Sequence, residues 1–135
     1  VAMSSITFSK INLPNLIDHH IALLERFGIK EEAPFSLIFF TLHDRKEIDN
    51  LEIFQRILRK TDALFSYKSD YVVMLTGTDW NGATDLLSGI QQFLDQEAYD
   101  NIVTFPEDGE SSATLIAKLR DKVEENCHIS PEILK

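Results

Sequence analysis

The chain has 135 residues, 44% of them hydrophobic and 26% charged, and a formal net charge of −9. That length suits a single domain over residues 1–135, large enough to bury a core without disulfides or metal. The acidic balance excludes nucleic acid and anionic membrane surfaces as expected partners, because both are gripped by arrays of Lys and Arg.

Cys127 is the single cysteine, so no intramolecular disulfide can form, and no CxxC pair points to a redox role. No signal-peptide or transmembrane stretch stands out. Direct membrane insertion is therefore not expected, and the cytoplasm is the simplest compartment. Val1-Ala2-Met3 is an unusual opening, as for a domain cut from a longer protein. The ends, at about 1–10 and 128–135, read as flexible.

Leu13-Pro14-Asn15 opens a first helix, since proline suits a first turn. Leu16, Ile17, Ile21, Leu24 and Phe27 then recur at helical spacing, and Gly28 closes the segment. Phe35 to Leu42 is apolar enough for a strand covered on both sides. A charged patch from His43 to Asn50 leads into a second helix, with Ile48, Leu51, Ile53, Phe54, Ile57 and Leu58 on its stripe. Ala63 to Tyr67 and Tyr71 to Leu75 form two strands joined by the tight turn at Lys68-Ser69. The second of these, rich in Val, is the expected centre of the sheet. Asp79 is an expected N-cap for a helix carrying Ala83, Leu86, Leu87, Ile90, Phe93 and Leu94. Asn101 to Phe105 is a last short strand, stopped by Pro106-Glu107-Asp108-Gly109. Ser111 or Ser112 then caps a final helix that ends near Cys127.

The middle six elements run β-α-β-β-α-β. This predicts an α+β fold, a ferredoxin-like antiparallel sheet with helices over one face and an extra helix at each end. A doubly wound parallel sheet would need a helix between residues 67 and 71, where there is no room.

These segments resemble, in eroded form, the GGDEF domain of diguanylate cyclases over residues 13–125. Leu13-Pro14-Asn15 with ALLERF at 22–27 looks like the family's opening "LPNR" helix. Phe39 to Asn50 sits like "LLDIDHFKRIND", and Ser66 to Leu75 like "RYGGDEFAVLL", followed by the family's "GTD" at Gly77-Thr78-Asp79. Phe105 to Gly109 is similar to "YPEDG".

The resemblance implies a domain that pairs with a second copy and joins two GTP molecules into cyclic di-GMP, with carboxylates of the first strand and hairpin holding divalent ions. This chain departs from that pattern where the chemistry lies. Thr41 stands in the first-strand carboxylate position, and Tyr67-Lys68 or Lys68-Ser69 replaces the glycine pair, so that Asp70 or Tyr71 takes the fourth motif position. Side chains in the glycine slots fill space that the nucleotide needs. Asp49 stands where the family has a base-contacting asparagine, and a wall segment between that position and the hairpin is missing. Arg59-Lys60-Thr61-Asp62 matches the family's RxxD, the site that grips the cyclic product: Arg pairs with phosphate or stacks on guanine, and Asp accepts from the base edge.

The sequence thus predicts a non-catalytic sensory or protein-interaction module that meets a protein partner, an adjoining domain or a second copy. The alternative is a receptor for a cyclic dinucleotide or nucleoside triphosphate built from Arg59, Asp62, Asp49, Lys68 and Asp70; residual cyclase activity ranks last. No cofactor is expected, and Mg²⁺ only if nucleotide binding persists. Asp44 and Asp70, with His43, form a weak candidate for an oxygen-rich cation site, set against a plain acidic surface loop. His19 and His20 are adjacent rather than three or four apart, so they read as packing residues. No GxSxG or GxxxxGK run occurs. Trp80, at a helix start, is a modest candidate for a protein contact.

Overall fold

The computed structural model describes residues 6–42, 47–94 and 100–135, with the backbone alone at 6, 47–51, 93 and 94. In chain order the elements are β1 (Ile6–Ser9), a 3₁₀ turn (Lys10–Asn12), α1 (Leu13–Arg26), β2 (Phe35–Thr41) and α2 (Glu47–Ile57). There follow β3 (Ala63–Tyr67), β4 (Asp70–Leu75), α3 (Trp80–Leu94), β5 (Ile102–Phe105), α4 (Ser112–Cys127) and a closing 3₁₀ turn (Glu132–Leu134). None of these helices is long and apolar enough to cross a membrane.

The five strands form one sheet in the order β1-β3-β4-β2-β5. Every neighbouring pair is antiparallel except β1 and β3, which run parallel. The Val-rich β4 lies in the middle, as its composition requires: a strand with partners on both edges and cover on both faces can be apolar at every position. Its residues alternate between two cores. Val72 and Met74 point to one face, while Tyr71, Val73 and Leu75 point to the other. Leu37 and Phe39 of β2 join the first set, and Ile38 and Phe40 join the second.

Helices cover both faces, which corrects the expectation of cover on one. Ile53 and Phe54 of α2, with Ala83, Leu87 and Ile90 of α3, fill the core on the Tyr71 side. On the other side lie Leu13, Ile17, Ile21 and Leu24 of α1, with Leu115, Leu119 and Val123 of α4. The two end helices are therefore not appendages. Without them Phe35, Phe39, Phe65 and Phe105 would face water, and each such ring is worth about 2–3 kcal/mol in burial.

Both ends read as flexible are in part built into the fold. Phe8 pairs in register with Phe65, and their rings stack at 5.6 Å. At the other end Ile133 and Leu134 are buried, 2% and 0% exposed, in the core of α1 and α4. Lys10 joins these ends, its Nζ lying 3.3 Å from the Glu132 carbonyl and 3.4 Å from its carboxylate. Apolar side chains at Phe8, Ile133 and Leu134 supply the burial that orders these short segments.

The helix ends follow local chemistry. Ser111 caps α4 through a reciprocal capping box with Thr114, satisfying two orphan donors. Asp79 accepts from the Gly82 N–H at 3.0 Å and so caps α3. Gly28, just past α1, has φ +65, a conformation that glycine takes without strain.

Candidate functional site

The residues singled out by the sequence fall into two groups at opposite ends of the β3–β4 hairpin. Asp62 immediately precedes β3, whereas Lys68 and Asp70 lie at the turn where β3 passes into β4. Five residues of strand separate them, roughly 16 Å at the usual rise. They cannot converge on one small ligand. Asp49 lies in α2, with its side chain outside the described residues, and His43 and Asp44 are outside them altogether.

At the turn, β4 pairs with both neighbours, so Asp70 stands in register between Tyr67 on β3 and Thr41 on β2. Thr41 thus occupies the strand-end position facing the hairpin, where its hydroxyl carries no charge for a divalent ion. Asp70 Oδ1 is buried and has no hydrogen-bond partner among the described residues. Lys68 is exposed, with φ +55, a conformation that costs a residue with a Cβ about 1 kcal/mol or more. The backbone at Lys68 thus takes a bend that glycine adopts without strain. Tyr67 packs against the α1–α4 core, with the ammonium groups of Lys10 and Lys68 at 5.1 and 5.4 Å from its ring centre. No group of three or more His, Cys, Asp or Glu side chains among the described residues is placed to hold a metal ion.

At the opposite end, Arg59 and Asp62 are bonded to each other. The Arg59 backbone N–H donates to Asp62 Oδ2 at 2.8 Å, Nε to the same oxygen at 3.1 Å, and Nη2 to Oδ1 at 2.9 Å. The pair then reaches the segment after β4. Asp62 Oδ1 accepts from the Thr76 N–H at 3.2 Å, and Arg59 Nη2 donates to the Thr76 carbonyl at 2.6 Å and lies 3.0 Å from Thr78 Oγ1. Nη2 has two hydrogens for three oxygens, so these contacts are shared. The Asp62 side chain is 2% exposed and that of Arg59 is 57%. The hydrogen bonds that Arg59 donates to the Asp62 carboxylate raise its pKa, against a smaller opposing effect of burial. The arrangement holds the C-terminal end of α2, the start of β3 and the approach to α3 together. Thr76 and Thr78, its unforeseen members, lie 14 and 19 residues from their partners, and no sequence spacing announces such a contact.

Of the remaining candidates, His19 is exposed and His20 half-buried. The His20 ring meets Phe35 edge-on at 5.2 Å, and its Nε2 is buried without a hydrogen-bond partner among the described residues. Burial first, and the neighbouring His19 second, push its pKa below the ordinary histidine value. Trp80 is 37% exposed, with Lys122 Nζ 5.1 Å from its ring centre.

The fold has a counterpart among solved structures. The crystal structure of a sensory box/GGDEF family protein from Caulobacter crescentus CB15 superposes on it with a TM-score of 0.64 over 87% of this chain and 91% of that one. The two share 13% of their residues, so the likeness establishes a GGDEF-like fold. No family model matches the chain. No curated protein matches it either.

Proposed function

We propose that this chain is a degenerate GGDEF-like domain, catalytically inactive, serving as a sensory or protein-interaction module of a bacterial signalling protein. The observation that carries this reading is the hairpin end of the sheet. The strand-end position that needs a carboxylate holds Thr41, paired in register with Asp70, and the turn that needs glycines holds Tyr67, Lys68 and Ser69. Phosphoryl chemistry depends on positioned divalent ions and close backbone approach to the phosphates, and these side chains offer neither. Fold likeness alone does not carry a reaction over. The strand order β3-β4-β2-β5, antiparallel throughout and connected through α2 and α3, supports a ferredoxin-like core with β1 added at its edge.

The receptor reading rests on Arg59 and Asp62. Their donors and acceptors are directed at each other and at Thr76, so a cyclic dinucleotide would have to break the bonds of a carboxylate already buried. That weighs toward the interaction module. Calorimetric titration of the purified chain with cyclic di-GMP, and separately with GTP and Mg²⁺, tests the choice. The expected traces are flat. Micromolar binding abolished by Arg59→Ala would instead make the chain a receptor.

A further inference from the structure

On the α1 side of the sheet, where β3 begins and β4 ends, a cleft of about 190 Å³ lies open to solvent. Phe8, Leu16, Ala63 and Met74 form its buried and half-buried floor, and the exposed His19 and Lys60 stand at its rim. An apolar cavity of about 150 Å³ is enough to take one benzene ring. The space therefore fits a single ring with a short polar arm and no drug-sized molecule.

The charges at the rim decide the sign of that arm. Asp62 also borders the cleft, but both its oxygens are engaged by Arg59 and Thr76. Lys60 makes no ion pair among the described residues, so the mouth presents a cation without a counter-charge. The His20 ring forms part of the wall, and its lowered pKa leaves the wall uncharged at neutral pH.

We propose that this cleft binds a small aromatic monocarboxylate, its ring on the Phe8–Leu16–Ala63–Met74 floor and its carboxylate between Lys60 and His19. The site shares no residue with the hairpin end of the sheet, and the proposal stands whether or not the domain has lost its nucleotide chemistry. Such a ligand would tie α1 to the start of β3 and to the edge strand β1, which the sheet already joins to β3.

Phenylacetate is the probe, titrated into the full 135-residue chain and followed by NMR at the His20 ring and the Met74 methyl group. Its comparator is 2-phenylethylamine, of equal size and opposite charge. Phenylacetate is expected to shift both reporters saturably, with the amine at least about tenfold weaker. Lys60→Glu should weaken phenylacetate by about tenfold without altering the thermal midpoint by more than a few degrees. Ala63→Leu, which fills the floor, should abolish the response; where it disturbs folding, Lys60→Glu at the exposed rim decides alone. Unchanged reporters at about 10 mM phenylacetate, equal binding of the amine, or full affinity in Lys60→Glu would each overturn the proposal.

Discussion

Asp62 accepts four hydrogen bonds while almost wholly buried, so its charge is tolerable only because every oxygen is served. Asp62→Asn keeps the shape but turns one acceptor into a donor facing donors, and should cost about 2–4 kcal/mol in urea unfolding. Arg59→Ala should cost less, about 1–2 kcal/mol, because the half-exposed guanidinium leaves room for water to replace it. The reverse order would mean that water does not replace the guanidinium and that its removal strands the buried Asp62 charge. His20 gives a pH dependence of definite sign. Its pKa is lower folded than unfolded, so its contribution is present above about pH 6.5 and lost as the pH falls through the folded value. Stability should drop as the pH falls below about 6.5, and His20→Phe should flatten that slope. Residue chemistry was partly legible in the sequence. Arg59 and Asp62 stand out in the sequence as an RxxD motif expected to face a ligand, but their bonding to each other and to Thr76 depends on the return of β4 alongside β3, which no local pattern encodes.

At the scale of elements, the two helices on the Val72 side are joined by a polar contact as well as by packing. Asp18, on the outer side of α1, accepts from the Ser112 backbone N–H at 2.9 Å and from its hydroxyl at 2.7 Å. A carboxylate at the first turn of α4 also opposes the positive end of that helix. Asp18→Ala should lower stability by about 1–2 kcal/mol, measurable as a fall of several degrees in thermal midpoint. The eight expected helices and strands are all present, because each has a long apolar stripe or run bounded by Pro, Gly, Asp or Ser. Which face each helix covers was not legible. Strands β2 and β4 are apolar on both sides, so no alternation marks one face as exposed. Strand β1 escaped notice for a different reason. Its four residues alternate Ile, Thr, Phe, Ser, and only a partner 57 positions away gives them a place.

Across the whole molecule, the sheet is a shared wall between two separate cores, and the last residues of the chain seal one of them. Leu134 is fully buried against that core. Leu134→Ala should therefore destabilise by about 2–4 kcal/mol, against less than about 0.5 for an exposed residue such as Glu124, each read from urea unfolding. The length of the final helix was readable from its stripe. The fold-back after it was not, since three residues, Glu132-Ile133-Leu134, carry no periodicity.

The Lys10–Glu132 contact spans 122 positions of chain and brings the first strand beside the last turn. The described chain thus nearly closes on itself at these two side chains. An amide formed between the Lys10 amine and the Glu132 carboxylate would close the loop with little movement of either partner of that contact. Closure would remove freedom from the unfolded chain alone, a stabilisation on the order of 5 kcal/mol for a loop of this size. Cleaved at an exposed turn instead, the cross-linked chain would stay in one piece, with both cores still tied together.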